Sequence, residues 1–377
     1  MARFSVILPA YNQSAYLRDA IESVLAQSCP DFELIIVDDG STDNTRDVVE
    51  SYKDSRIQYI YQENRGLSGA RNTGIRRSNG MYLTYLDADD LFTPQKLKVL
   101  GDALDKDQSL GFVAGQAIPI DEVGRIIGQL FDSPPPQESH GWLLGNPLHV
   151  GSVLVRREWQ EQAGFFDERL RSYEDWDMWL RLARLGCRFG WVAEPVSLYR
   201  FHPKQMTRNS QQMTQATFAV LDKVFCDPNL PADWLELRNA AYSNAHLRAA
   251  ASFYNIQDYD QAQTHLREAI NLNPDLIMED GKLLARRLMG FANSPKHSDP
   301  WMFIQNIYDH LPHELEHFRR KHRKALGEFA VQLGFQAHQA GNLKKARYYM
   351  IRAIRCHPSY LGNPGVISLM IGRTRVH

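Results

Sequence analysis

Met81-Tyr82-Leu83-Thr84-Tyr85-Leu86-Asp87-Ala88-Asp89-Asp90 is an apolar and aromatic run that ends in three acids, with the turn signal Asn79-Gly80 in front of it. The pattern predicts a buried strand whose carboxyl end presents carboxylates at the rim of a sheet, where α/β proteins hold ligands. Clustered oxygen ligands suit Mg²⁺ or Mn²⁺, and such an ion often bridges to a diphosphate. An isolated Asp-x-Asp is more often a solvated turn or a helix cap. Its surroundings decide between the two.

Upstream, strand and helix signals alternate as they do in a parallel sheet covered by helices. Phe4–Leu8, Phe32–Val37 and Ile57–Tyr61 read as strands, and Tyr16–Ala26, residues 42–51 and Ser68–Arg77 as helices. Asp38-Asp39 closes the second strand as Asp87-Ala88-Asp89 closes the fourth, so both acid sets can converge on one crevice. Downstream, strands are expected at Gly111–Ala117, Val150–Arg156 and Trp191–Phe201, a hairpin through Gly124, and a helix within Ser172–Leu185. Pro134-Pro135-Pro136 marks a polar loop, expected as a lid or an acceptor-facing loop. This α/β part is expected to span residues 1–210, and residues 211–377 read as an all-α region of helical hairpins. Two segments there match, Tyr259–Pro274 and Leu343–Pro358. Small residues and a closing proline make them similar to tetratricopeptide repeats.

The 377 residues, 44% hydrophobic and 23% charged, have the composition of an ordinary globular protein. A net charge of −1 gives no global case for binding nucleic acid. Cys29, Cys187, Cys226 and Cys356 are scattered without a CxxC pair, which supports neither a zinc site nor a disulfide framework and fits a reducing compartment. No run approaches the ~20 apolar residues of a membrane span, so the expected location is cytoplasmic. Charge is uneven, however: residues 311–377 hold 12 Lys/Arg against 3 Asp/Glu. Within them, His313–Lys324 sets Arg319, Arg320, Lys321, Arg323 and Lys324 around Phe318. A solvated basic helix is the plain reading; docking to anionic lipid at the inner face of the membrane, or to a phosphorylated glycolipid, is the sharper one. The helical region is equally suited to a protein partner or a second copy of the chain.

Several motifs in series resemble glycosyltransferase family 2. They are Pro9-Ala10-Tyr11-Asn12, Val37-Asp38-Asp39-Gly40-Ser41-Thr42-Asp43, Asn64–Asn72 and Asp87-Ala88-Asp89, followed by Gly164-Phe165-Phe166-Asp167, Glu174-Asp175-Trp176-Asp177 and Tyr199-Arg200-Phe201-His202-Pro203. The resemblance covers roughly residues 1–205 and implies a GT-A fold, a Rossmann-like mixed sheet. It also implies an inverting transfer of a sugar from a UDP-sugar donor to a hydroxyl of a glycan or glycolipid acceptor, in surface polysaccharide or lipopolysaccharide assembly, with Mn²⁺ or Mg²⁺ as cofactor.

Under that resemblance Pro9, Ala10 and Tyr11 pack on the nucleotide base and Asp39 accepts a base N–H, an acceptor-only group that separates uracil from cytosine. The alternative for this acid pair is capping the helix after Ser41, a role that suits Asp38 better. Arg71 is expected to face the base or phosphates. Asp87 is expected on the ribose hydroxyls or the metal, Asp89 on the metal, and His202 as the late histidine completing the metal site. Asp175 is the expected general base and Glu174 its partner; Asp177 competes for the base role. Carboxylates in a first helical turn are also simply favoured by the helix dipole. Two other readings compete. A sugar-nucleotide-forming nucleotidyltransferase would carry a Gly- and Arg-containing loop after the first strand, which Pro9-Ala10-Tyr11-Asn12-Gln13 is not. A non-catalytic scaffold would leave the acids at 39, 87, 89 and 175 without a task.

Overall fold

The seven residues of β1 (Phe4–Ala10) are all buried. Phe4, Val6 and Leu8 join one cluster with Leu17, Ala20, Ile21 and Val24 of α1 (Ser14–Leu25). Ile7 faces the other way, as the two-residue period of a strand requires. A strand covered on both faces reads as an unbroken apolar run, which is why these first elements stand out in the sequence. β2 (Phe32–Asp38), α2 (Thr45–Glu50), β3 (Ile57–Tyr61), α3 (Gly66–Arg77) and β4 (Tyr82–Tyr85) follow. β1 pairs in parallel with β2 and β4, and β2 with β3. The helix α3 lies directly on β1: a Cβ added to Gly74 would sit 2.4 Å from Cγ2 of Ile7.

Next come β5 (Leu91–Phe92), α4 (Lys96–Lys106), β6 (Leu110–Ile120), β7 (Val153–Arg156), α5 (Arg157–Ala163), α6 (Glu174–Arg184), β8 (Arg188–Arg200) and α7 (Ser210–Phe225). Among the described residues the sheet has eight strands in the order β3-β2-β1-β4-β7-β6-β8-β5. β7 is antiparallel to β4 and β6, and β5 to β8. The result is the mixed, Rossmann-like sheet expected. The hairpin through Gly124 is present but short: Asp121 N–H donates to Arg125 O at 2.8 Å and Ile127 N–H to Pro119 O at 3.0 Å, around an antiparallel bridge between Ile120 and Ile126.

This computed structural model describes residues 2–294, 297 and 299–371; residues 372–377 of the basic end lie outside them. The chain divides into two compact units, Met1–Ala241 and Tyr242–His377. The division falls later than residue 210 because α7 is fastened to the first unit. Lys223 Nζ lies 2.7 Å from Asp177 and 2.8 Å from Asp167, and Arg184 pairs with Asp227. The second unit has helices and no strand among its described residues. Its two matching segments form helices Tyr259–Leu272 and Leu343–Cys356, each 14 residues. Each is capped by a side chain, Asp258 on Gln261 N–H and Asn342 on Lys345 N–H, and each buries its small residues, Ala262 and Ala269 or Ala346 and Ala353.

Candidate active site

The carboxyl ends of β1, β2 and β4 lie side by side. Ala10 is paired with Asp38, Leu86 N–H donates to Ile7 O at 3.0 Å, and Asp39 N–H donates to Ala10 O at 2.8 Å. Pro9 and Ala10 are buried, whereas Tyr11 is 51% exposed at the rim. Asn12 ties the loop after β1 to the loop after β2: its N–H donates to Ser41 Oγ at 2.9 Å and its Oδ1 accepts from Thr42 N–H at 2.8 Å.

The two acids after β2 divide their work. Asp38 is buried, accepting from Ser41 N–H at 2.8 Å and from the Tyr59 hydroxyl at 2.7 Å. It shapes the turn but does not cap the helix expected after Ser41: α2 begins only at Thr45, whose N–H is met by Asp43 Oδ1 at 3.0 Å. Asp39 does not cap the helix after Ser41; it caps α3 instead, accepting from Arg65 N–H at 2.9 Å and Gly66 N–H at 2.8 Å, with Gln62 Nε2 at 2.6 Å. Three of about four acceptor positions on its carboxylate are therefore filled.

Arg71 departs from expectation. It is 1% exposed, and its guanidinium bridges Glu174 on one side and Asp87 Oδ1, at 2.5 Å, on the other. Burial alone would lower its pKa, but these two carboxylates raise it further above its ordinary value. Both of its terminal nitrogens are engaged by carboxylates, and its Nε is buried without a partner. It places the first turn of α6 beside the end of β4. Tyr173, in the left-handed region at φ 59°, turns the chain into α6. Of the three acids that open this helix, Asp177 is 2% exposed and paired with Arg181 at 2.9 Å and Lys223 at 2.7 Å, which removes it from contention as a base. Glu174 is buried, and its second oxygen has no partner. Asp175 is partly exposed, accepting from Trp176 N–H at 2.7 Å and Asn146 Nδ2 at 2.9 Å. Desolvation and then the neighbouring Glu174 push its pKa up to about 7, against the pull of Arg71. A carboxyl poised there can exchange a proton near neutral pH.

At the end of β4, Asp87 keeps 29% of its side chain exposed and Asp89 16%. Asp89 Oδ2 lies 2.8 Å from His202 Nε2, so the two ends of the expected metal set meet. Asp87 Oδ1 is taken by Arg71. Among the described residues no three His, Cys, Asp or Glu side chains are grouped to hold a metal ion by themselves. The set present is a carboxylate and an imidazole, with part of a second carboxylate nearby. It suits an ion that completes its shell with phosphate oxygens and water, as Mg²⁺ and Mn²⁺ do.

Two residues here, Asn146 and His149, carried no sequence signal of a role, and Asp90, part of the acid run, had no role of its own assigned. Asp90 is buried behind Asp89, accepting from Arg200 N–H at 2.8 Å and lying 3.0 Å from His149 Nε2. Desolvation and the neighbouring acids Asp89 and Asp87 raise its pKa well above the usual range, and burial lowers that of His149 to about 4. Asn146 and His149 sit in a loop without periodicity, and only their partners reveal them. The segment after Pro134-Pro135-Pro136 is tied down: Trp142 Nε1 donates to Pro136 O, and Trp176 Nε1 donates to Trp142 O, both at 2.9 Å.

Residues 5–158 match the family described as glycosyl transferase family 2. A Bacillus subtilis protein, "Putative teichuronic acid biosynthesis glycosyltransferase TuaG", is 31% identical over 229 residues, which are 58% of this chain and 87% of that protein. An uncharacterized glycosyltransferase of Rickettsia conorii is 35% identical over 189 residues, 48% of this chain. The chain spans 31 to 33% of the length of that protein and two further Rickettsia relatives. Among solved structures, mannosyltransferase PcManGT from Pyrobaculum calidifontis in complex with GDP-Man and Mn²⁺ has a TM-score of 0.53 at 18% identity, covering 81% of this chain and 84% of its own. S. aureus TarS 1–349 in complex with UDP-GlcNAc has a TM-score of 0.50 at 15% identity, covering 96% and 92%. At such identities the likeness is one of fold.

Proposed function

Because the chain belongs to glycosyltransferase family 2, we propose that it is an inverting, metal-dependent glycosyltransferase. It moves a sugar from a UDP-sugar to a hydroxyl of a glycan or glycolipid acceptor in surface polysaccharide or lipopolysaccharide assembly. One observation carries this reading: Arg71 joins Asp87 to Glu174, and so brings the partly exposed acids that follow β4 beside Asp175, whose pKa is raised to about 7. Pairs of carboxyls driven to different proton affinities mark acid and base roles.

Pro9, Ala10 and Tyr11 line the base, and the acceptor position left on Asp39 takes the uracil N3–H. That S. aureus TarS 1–349, of similar fold, has been solved in complex with UDP-GlcNAc supports a uridine donor. Asp89 and His202, with the free oxygen of Asp87 beside them, would hold Mn²⁺ or Mg²⁺, whose charge neutralises the departing diphosphate. The acceptor oxygen attacks the anomeric carbon as the bond to the diphosphate oxygen breaks and its electron pair leaves with UDP. The acceptor proton passes to Asp175. Arg71 serves in support, neutralising Glu174 and Asp87 and so limiting how far the proton affinity of Asp175 is raised. The exposed Arg320, Arg323 and Lys324 of the second unit, none of them ion-paired among the described residues, are assigned to anionic lipid headgroups. Co-sedimentation with anionic vesicles that survives neutralising these three would remove that assignment.

The activity test is nucleotide release from a panel of UDP-sugars and GDP-Man, with Mn²⁺, Mg²⁺ or EDTA, for the wild type and Asp89→Ala. The expected result is slow hydrolysis of one UDP-sugar that EDTA and the substitution both abolish. Absence of UDP binding by calorimetry on the same samples would instead favour a scaffold with a vestigial site.

A further inference from the structure

Asn146 has both ends of its amide assigned. Its Oδ1 accepts from Leu148 N–H at 3.3 Å, within its own loop, and its Nδ2 donates to Asp175 Oδ2 at 2.9 Å. The backbone donor at Leu148 settles which end of the amide faces which way, because an oxygen must meet that N–H. The other Asp175 oxygen is held by the helix backbone at Trp176. Asp175 is thus gripped from two directions, once by its own helix and once from the loop opposite.

The loop is itself anchored at several points. Trp142, 2% exposed, accepts from the Trp176 indole one residue beyond Asp175, and His149 closes on Asp90 next to Asp89. Eight residues, 142–149, therefore touch both carboxylate centres of the site: the first turn of α6 at one end and the end of β4 at the other. We infer that Asn146 is a positioning residue for transfer, which aims the Asp175 carboxylate at the acceptor hydroxyl and fixes its distance from the donor side through the 142–149 brace. This rests on the reading of Asp175 as the base. The physical basis is that a proton acceptor must lie within hydrogen-bond reach of the proton it takes, and a small misplacement lowers the rate steeply. An amide N–H pointed at a carboxylate also favours its ionised form, so removing it must raise the proton affinity of Asp175.

The experiment compares wild type, Asn146→Ala, Asn146→Asp and Asp175→Asn by two readouts. The first is UDP release from the UDP-sugar selected by the donor panel, as a function of pH. The second needs no turnover: the carboxyl carbon of isotope-labelled Asp175, identified by its disappearance in Asp175→Asn, is titrated by NMR. In Asn146→Ala kcat should fall about 10- to 100-fold, with UDP affinity unchanged by calorimetry. The acid limb of the rate profile and the NMR titration should both move up, by about one pH unit. Asn146→Asp keeps the volume and replaces a donor with a like charge, so its upward shift should be larger. A wild-type titration and rate in either Asn146 variant overturn the inference. Full activity in Asp175→Asn instead removes the base reading, and the NMR comparison then still decides whether Asn146 controls that carboxyl.

Discussion

Two acid doublets, Asp38-Asp39 after β2 and Glu174-Asp175 at the start of α6, look alike on paper and are solvated in opposite ways. All four oxygens of the first are met by neutral donors: Ser41 N–H, the Tyr59 hydroxyl, Gln62, Arg65 N–H and Gly66 N–H. In the second, Glu174 meets a buried guanidinium with one oxygen and leaves the other unpartnered, while Asp175 is met by Trp176 N–H and the Asn146 amide and is lifted to about 7. A doublet wired to backbone dipoles builds the shape of two loops. A desolvated doublet with two adjacent charges and one oxygen left uncompensated raises the proton affinity of Asp175, against the pull of the nearby guanidinium.

The contrast breaks first at Asp175. Asp175→Asn should lower kcat about 10²- to 10⁴-fold, leave UDP binding intact, and erase an acid limb centred near pH 7. The limb has this sign because the base must be ionised to act, so activity rises with pH up to the raised pKa and then levels. A rate within a few-fold of wild type would equalise the two doublets. Next in size is Arg71→Ala, which strands Glu174 without its counter-charge and should cost about 3–5 kcal/mol of stability in urea unfolding. Smallest is Asp38→Asn, which keeps the shape and should cost about 1 kcal/mol while kcat stays within about twofold of wild type. If Asp38→Asn silenced turnover as Asp175→Asn does, the division between shape and reactivity would fall.

Much of this was legible in the sequence because β1, β2 and β4 are buried on both faces and read as plain apolar runs. Phe32–Asp38 and Ile57–Tyr61 emerge within a residue of their expected limits, and Asp89 and His202 meet although 113 residues separate them. What escaped depended on partners far along the chain. Arg71 belongs with Glu174, 103 residues away, so a side chain that reads as a ligand-facing donor becomes a buried strut. Val150–Ser152 look like strand residues but form a 3₁₀ turn, since β7 must enter antiparallel between β4 and β6. Asn146 and His149 belong to a loop whose order comes from indole and carboxylate contacts, and no periodicity announces those.

The seating of α3 on β1 has a thermodynamic consequence. Where Gly74 meets Ile7 there is no room even for a methyl group, and the start of the same helix is held by the Asp39 carboxylate. The floor beneath the proposed nucleotide site is therefore already ordered, and little chain entropy would remain to be lost there on binding. The heat capacity change of UDP binding should then match the apolar surface the nucleotide covers and no more, without the larger change that accompanies coupled folding.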